Sequence, residues 1–228
     1  MMLDYEAEVK MKPTGKVETL VQCDFDGTIT EEDVSFFILD AFANGDWRRL
    51  LDQYREGRIS VGSFNTRAFV MVKEGKETLD KFVMEKVIIR DGFHELLSYC
   101  RRKGFRFVIV SNGLNFYITT ILRALGLDNI EVFAAQTVFS PDGIKARYMG
   151  PDGIELQDGF KEAYVRHFIK SGYRIIYVGN GASDISSARL AYHIFATGPL
   201  LAHCKEANLN CTPFTDFNDV VQGLELLA

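Results

Sequence analysis

The sequence predicts an α/β protein: a buried, largely parallel sheet in three layers, with a helical insertion after its first strand. Three observations lead there. Short apolar runs at residues 19–23, 105–110, 173–178 and 193–197 each stop at turn-forming residues, as strands buried on both faces do. Stretches of helical periodicity separate those runs, the alternation that places helices over a parallel sheet. Residues 31–90 carry apolar side chains at three- and four-residue spacing and show no strand pattern before Val87, too long a stretch for a simple crossover.

The first strand, residues 19–23, runs into Asp24-Phe25-Asp26-Gly27-Thr28. On an extended backbone, positions i and i+2 face the same side, so Asp24 and Asp26 are expected to aim together beyond the strand end, where open α/β sheets bind ligands. Two carboxylates about 4 Å apart repel by about 4 kcal/mol at an effective dielectric near 20. A divalent cation held by oxygen ligands offsets that repulsion.

The insertion contains Phe36, Leu39, Phe42, Trp47, Leu50, Leu51 and Tyr54, then Phe64, Phe69, Leu79, Phe82 and Val83, punctuated by Gly45, Gly57, Gly62 and Gly75. This reads as three or four helices with an aromatic core. Glu32 and Arg67 are its candidates for polar groups facing a substrate; the alternative is that each is a solvated surface side chain.

A helix is expected from Asp91-Gly92-Phe93 to Lys103-Gly104, with basic residues in its last turn. The next strand ends at Ser111-Asn112-Gly113, before a helix over residues 114–125. A hydroxyl at that junction can bind an oxyanion together with the turn that holds it, or Ser111 or Asn112 can simply cap the helix. Residues 130–139 read as a strand, followed by short antiparallel strands at 145–149 and 154–156 around Pro151-Asp152-Gly153. Gly159-Phe160-Lys161 opens a helix, where a lysine in the first turn opposes the helix dipole. Lys145, Arg166 and Lys170 are alternatives to Lys161 on spacing alone. The strand at 173–178 enters Gly179-Asn180-Gly181-Ala182-Ser183-Asp184 and a helix over 183–191. That glycine spacing mimics a dinucleotide fingerprint, but the third glycine is missing and the segment does not open a βαβ unit. A strand at 193–197, a helix after Gly198-Pro199 and a terminal helix over 216–227 complete the chain.

Composition narrows the function. The net charge of −5 argues against a broad basic nucleic-acid footprint, and no apolar run reaches the length of a membrane span. Residues 1–16 are read as a frayed tail without the apolar centre of a secretory signal. Cys23, Cys100, Cys204 and Cys211 lack zinc-ligand spacing and read as reduced thiols of a cytoplasmic protein. His94, His167, His193 and His203 are read as structural.

Taken in order, these segments resemble the four motifs of the haloacid dehalogenase superfamily. Asp24-x-Asp26-x-Thr28 resembles the first, Ser111 the second, Lys161 the third, and Gly179-Asn180 with Asp184 the fourth, Gly-Asp-x-x-x-Asp. The resemblance implies a Rossmann-like core of residues 17–32 and 89–228, and a helical cap of residues 33–88 like that of the phosphoserine-phosphatase branch. It implies that Asp24 is the nucleophile and Asp26 the acid–base group, that Thr28, Ser111 and Lys161 hold the phosphoryl group with Asn112 and Gly113 beside it, and that Mg2+ sits among Asp24, the Asp26 carbonyl, Asn180 and Asp184. Asn180 departs from the pattern: its amide oxygen is a hard ligand but brings no charge, which implies weaker metal binding. The tail from Cys204 to Phe217 resembles that of methionine-salvage phosphatases. The implied function is magnesium-dependent hydrolysis of a small-metabolite phosphate monoester through an aspartyl phosphate, by a monomer or homodimer with no nucleic-acid or membrane partner. Phosphoserine and other small esters remain open as substrates, and Asn180 keeps open a phosphate-binding or regulatory protein with weakened turnover.

Overall fold

The structure, a computed structural model, describes residues 17–227; the tail expected over 1–16 lies outside the described residues. Strand β1 (Thr19–Cys23) is the centre of a seven-stranded sheet. On one side follow β2 (Arg106–Leu114), β3 (Glu131–Ser140) and β4 (Gly143–Arg147); on the other, β5 (Arg174–Gly179), β6 (His193–Ala196) and β7 (Cys211–Pro213). Neighbouring strands are parallel except β3 and β4. All five β1 residues are buried. The strand order reverses between β1 and β5, and a crevice opens at such a switch point beyond the carboxyl ends of the strands.

Four helices lie between β1 and the next strand-flanking helix: α1 (Val34–Phe42), α2 (Trp47–Arg55), α3 (Val61–Phe69) and α4 (Lys76–Lys86). Their starts are set locally. Asp33, Asp46 and Ser60 each accept a hydrogen bond from a first-turn amide of α1, α2 and α3, which satisfies donors the helix itself leaves unpaired. Phe36, Trp47, Tyr54 and Phe64 meet ring to ring across α1, α2 and α3, so the insertion has an aromatic core of its own. Helices α5 (Phe93–Lys103), α6 (Asn115–Ala124), α7 (Phe160–Lys170), α8 (Ile185–Ala188), α9 (Gly198–Glu206) and α10 (Phe217–Leu226) complete the described elements.

Four local expectations change. The strand expected to stop at Val110 runs on to Leu114, with a shift in its pairing to β3 between those residues; Ser111 therefore lies within an irregular strand. The second antiparallel strand at 154–156 shrinks to a single bridge, Met149 to Glu155, because the turn at Ser140–Gly143 folds β4 directly against β3. The helix expected over 183–191 is a 3-10 turn (Ala182–Asp184) followed by the one-turn α8. There the Asp184 carboxylate accepts the backbone N–H groups of Asn180 and Gly181, which ties the loop down. Strand β7 has three residues and ends on proline, too short for an alternation pattern to show.

Candidate active site

The site lies at the switch point. The Asp24 amide donates to the Val178 carbonyl at 2.9 Å, which continues the sheet pairing one residue past β1 and fixes the direction of the Asp24 side chain. Asp24, Asp26, Asp33, Ser111, Lys161 and Asn180 line a cavity of about 330 Å³. A second cavity of about 660 Å³ shares Tyr54, Asn112, Lys161 and Ser183 with it and opens toward the end of α2.

Lys161 is the hub. Its Nζ lies 2.8 Å from Asp24 Oδ2 and 2.6 Å from Asp184 Oδ1, and all three residues are buried. Burial alone would lower the Lys161 pKa; Asp184 and Asp24 outweigh it and hold the ammonium above its ordinary value. Burial pushes the Asp24 carboxyl up to about 7, against the pull of Lys161. Burial, and then Asp33, push Asp26 up to about 8 even though the Tyr117 hydroxyl and the Val34 amide donate to it. Burial likewise takes Asp33 up to about 6. One buried carboxylate is thus paired with a cation, while its neighbour two residues on favours the protonated form near neutrality. That division suits a nucleophile beside a general acid.

A family model described as haloacid dehalogenase-like hydrolase matches residues 21–189. The chain belongs to that family. It is 30% identical over 217 residues to the 2-hydroxy-3-keto-5-methylthiopentenyl-1-phosphate phosphatase of Geobacillus thermodenitrificans (strain NG80-2), covering 93% of this chain and 98% of that protein. A phosphatase of the same name from Bacillus velezensis (strain DSM 23117 / BGSC 10A6 / LMG 26770 / FZB42) is 30% identical over 210 residues, covering 90% and 89%. The fold is similar to that of a phosphoserine phosphatase solved as a phospho-aspartyl intermediate analogue, with a TM-score of 0.69 at 20% identity over 91% of this chain and 99% of that one. This haloacid dehalogenase-like hydrolase is a phosphatase, a phosphoric monoester hydrolase.

The structure brings Asp24, Asp26, Ser111, Asn112, Gly113, Lys161 and Asn180 to one cavity wall. It also separates Lys161 from its rivals: Lys145, Arg166 and Lys170 are exposed, and Arg166 pairs with Glu162. Thr28 differs from expectation. It is fully buried, its hydroxyl donates to Asn180 Oδ1 at 3.0 Å, and it orients the amide from behind the cavity wall. Asp184 is also behind the wall. Tyr177 and Lys161 donate to its Oδ1, and the Asn180 and Gly181 amides to its Oδ2. These bonds make it the anchor of Lys161 and of the loop that carries Asn180.

Glu32 and Arg67 are exposed and line neither cavity. Glu32 precedes the cap of α1, and its carbonyl accepts the Thr30 hydroxyl. Arg67 lies on α3 at the edge of the buried stripe that Phe64 and Ala68 occupy, with its side chain exposed. Tyr54, Arg55, Phe64 and Asn65 stand at the cavity in their place. Arg90 has no counterpart among the expected residues. Its guanidinium donates to the carbonyls of Gly27, Thr28 and Thr215 and so clamps the loop after β1. An isolated arginine in a run of helical pattern gives no sequence signal for that role.

Two glycines allow the close approaches. Gly27 has φ +70°, and a Cβ there would lie 2.2 Å from Asn180 Nδ2. At Gly113 a Cβ would lie 2.0 Å from the Tyr117 hydroxyl oxygen and 2.2 Å from Asp26 Oδ2. Gly113→Ala is therefore expected to displace the Asp26 carboxyl and to lower kcat by about 10²-fold or more, the size of a general acid–base contribution. Thermal unfolding is expected to shift by only a few degrees, as for overpacking by one methyl of about 1–3 kcal/mol. Unchanged kcat in Gly113→Ala would refute this reading of Asp26.

Among the described residues, no group of three or more His, Cys, Asp and Glu side chains is arranged to hold a metal ion. Among the oxygen donors at the wall are the Asp24 carboxylate and the Asn180 amide, with the Asp26 backbone adjoining. Hard oxygens of this kind, few in number and with room left for water and phosphate, fit Mg2+.

Proposed function

We propose that this phosphatase hydrolyses a small phosphate monoester through an aspartyl phosphate on Asp24, with Mg2+ held by Asp24, the Asp26 carbonyl and Asn180. The observation that carries the proposal is the buried Asp24–Lys161–Asp184 array at the switch point of the sheet. A carboxylate that burial would neutralise is kept available for attack by a cation that is itself anchored. Magnesium, when bound, would supply positive charge that offsets the repulsion of the attacking carboxylate and the phosphate.

Asp24 attacks phosphorus while the P–O bond to the leaving group breaks, and the leaving oxygen takes the proton of the Asp26 carboxyl. The Ser111 hydroxyl and the Lys161 ammonium donate to the phosphoryl oxygens. Asp26, now a carboxylate, takes a proton from water, whose oxygen attacks phosphorus; inorganic phosphate leaves and Asp24 is restored. Residues 33–88 act as a cap on the core formed by 17–32 and 89–228, and its closure excludes bulk water.

The substrate we propose is 2-hydroxy-3-keto-5-methylthiopentenyl-1-phosphate, which places the enzyme in methionine salvage and in the cytoplasm. The similarity to the two phosphatases of that name supports it. So does the wall that the insertion presents: beside Arg55, the side chains of Phe36, Leu51, Val61 and Phe64 line the cavity near Asp24 and offer apolar surface to a methylthio group. Steady-state phosphate release from this ester and from phosphoserine, with and without Mg2+, tests the proposal. Faster turnover of phosphoserine would overturn the substrate, and turnover unaffected by chelation would overturn the metal.

Asn180→Asp is expected to tighten Mg2+ by about tenfold, the factor that about 1.4 kcal/mol of added attraction brings, because a neutral donor becomes a charged one. The half-saturating Mg2+ concentration for activity reads this directly. An unchanged value would remove Asn180 from the metal set.

A further inference from the structure

Asp26 is held by more than its own loop. Its Oδ1 accepts the Val34 amide at 3.0 Å, and its Oδ2 accepts the Tyr117 hydroxyl at 2.7 Å. The Tyr117 proton is committed to Asp26, so the Ser35 hydroxyl, 2.9 Å from the Tyr117 oxygen, is the donor in that pair. Tyr117 is fully buried on α6 and Ser35 is nearly so on α1. The chain Ser35 to Tyr117 to Asp26 therefore joins the helical insertion to the Asp26 carboxyl through two hydrogen bonds that meet at a buried phenol. The missing side chain at Gly113 is what lets the phenol and the carboxyl meet.

With the phosphatase reading above as its basis, we infer that Tyr117 is a positioning residue: it fixes the Asp26 carboxyl so that the acid's proton faces the leaving oxygen, and Ser35 fixes Tyr117. Each Asp26 oxygen accepts one bond from the protein. The carboxyl plane is thereby set, and the remaining hydrogen-bonding direction points into the cavity that Asp26 lines. Removing the phenol oxygen leaves Asp26 in place but free to rotate about its side-chain bonds. The chemistry lost is proton delivery to the leaving group; attack by Asp24, which Lys161 orients separately, is untouched.

The test exploits leaving-group acidity. An alkyl phosphate expels an alkoxide that must be protonated as the P–O bond breaks, whereas p-nitrophenyl phosphate expels a stable phenolate that needs no proton. The quantity to compare is kcat/KM, which covers steps only through phosphoryl transfer and excludes the later hydrolysis of the aspartyl phosphate. Tyr117→Phe is expected to lower kcat/KM by about 10²-fold for the alkyl ester, the size of a general-acid contribution, and by no more than a few-fold for p-nitrophenyl phosphate. Ser35→Ala, which keeps the phenol and removes its donor, is expected to show a smaller split in the same direction. Equal losses on both esters would mean that Tyr117 only supports the fold, and no loss on either would mean that Asp26 needs no help; each overturns the inference. If the wild-type protein releases phosphate from neither ester nor from the proposed substrate, the phosphatase reading itself fails and this inference with it.

Discussion

Asp24→Asn is expected to lower phosphate release by at least about 10⁴-fold while the protein remains folded. An amide oxygen does not form the acyl phosphate, so the step that divides hydrolysis into two easier displacements is lost. Deletion of the nucleophile of a serine protease costs about 10⁶-fold in kcat. The fold is expected to survive for a local reason. The amide oxygen of the variant can still accept from the Phe25 amide, as Asp24 Oδ1 does at 2.7 Å, and Lys161 keeps its bond to Asp184. With Asp24 neutral, Asp184 remains as the buried counter-charge of Lys161. The check is phosphate release beside a thermal melt; more than about 1% residual activity, free of contaminating phosphatase, would show that Asp24 is not the nucleophile.

Lys161→Met has the second large effect, on stability as well as rate. It removes the cation that the structure places between Asp24 and Asp184 and leaves two buried carboxyl groups facing each other. Breaking a buried ion pair from one side costs about 3–5 kcal/mol, which at about 2–4 °C per kcal/mol for a chain of this size is a melting-point loss on the order of 10 °C. Without Lys161, the Asp24 carboxyl, which burial already pushes up to about 7, loses the cation that pulls it down. A group whose pKa is raised by folding contributes its stability below the unfolded pKa and loses it as pH climbs through the folded one. The metal-free variant is therefore expected to be least stable above pH 7 and to recover toward pH 5. Melting curves with chelator across that range would show it; a deficit independent of pH would point to lost packing. Adding Asp184→Asn to Lys161→Met is expected to restore part of the stability at pH 8 and none of the activity.

The sequence made Asp24, Asp26 and Lys161 legible because each stands just past an apolar strand or at a helix start, and local periodicity reveals such places; Ser111 stood out where the apolar run ends at Val110, although β2 itself continues to Leu114. Thr28 was misplaced because its hydroxyl proton goes to Asn180, 152 positions away, a partner that local spacing does not reveal. Glu32 and Arg67 failed for a different reason. Helical spacing identifies an apolar face, but among the polar positions it cannot say which border the cavity and which border water. Arg90 and Tyr117 reach the site across 62 and 91 positions, and only the assembled sheet brings them there. The insertion was the reverse case: its helix count followed from apolar spacing and glycine punctuation, since its contacts are mostly local.

The central position of β1 also has a consequence for biosynthesis. Thr19 of β1 pairs with Arg174 of β5, 155 positions later. At ribosomal speeds of about 5–20 residues per second, that partner follows by roughly 8–30 s. Throughout that interval β1, destined for burial along its whole length, has one edge without a neighbour, and Asp24 lacks the Val178 carbonyl. Nascent chains at this stage are candidates for chaperone capture, and non-local parallel pairing of this kind is slow to form. Catalytic competence accordingly arrives late in translation, with the emergence of β5 and the Asn180–Asp184 loop.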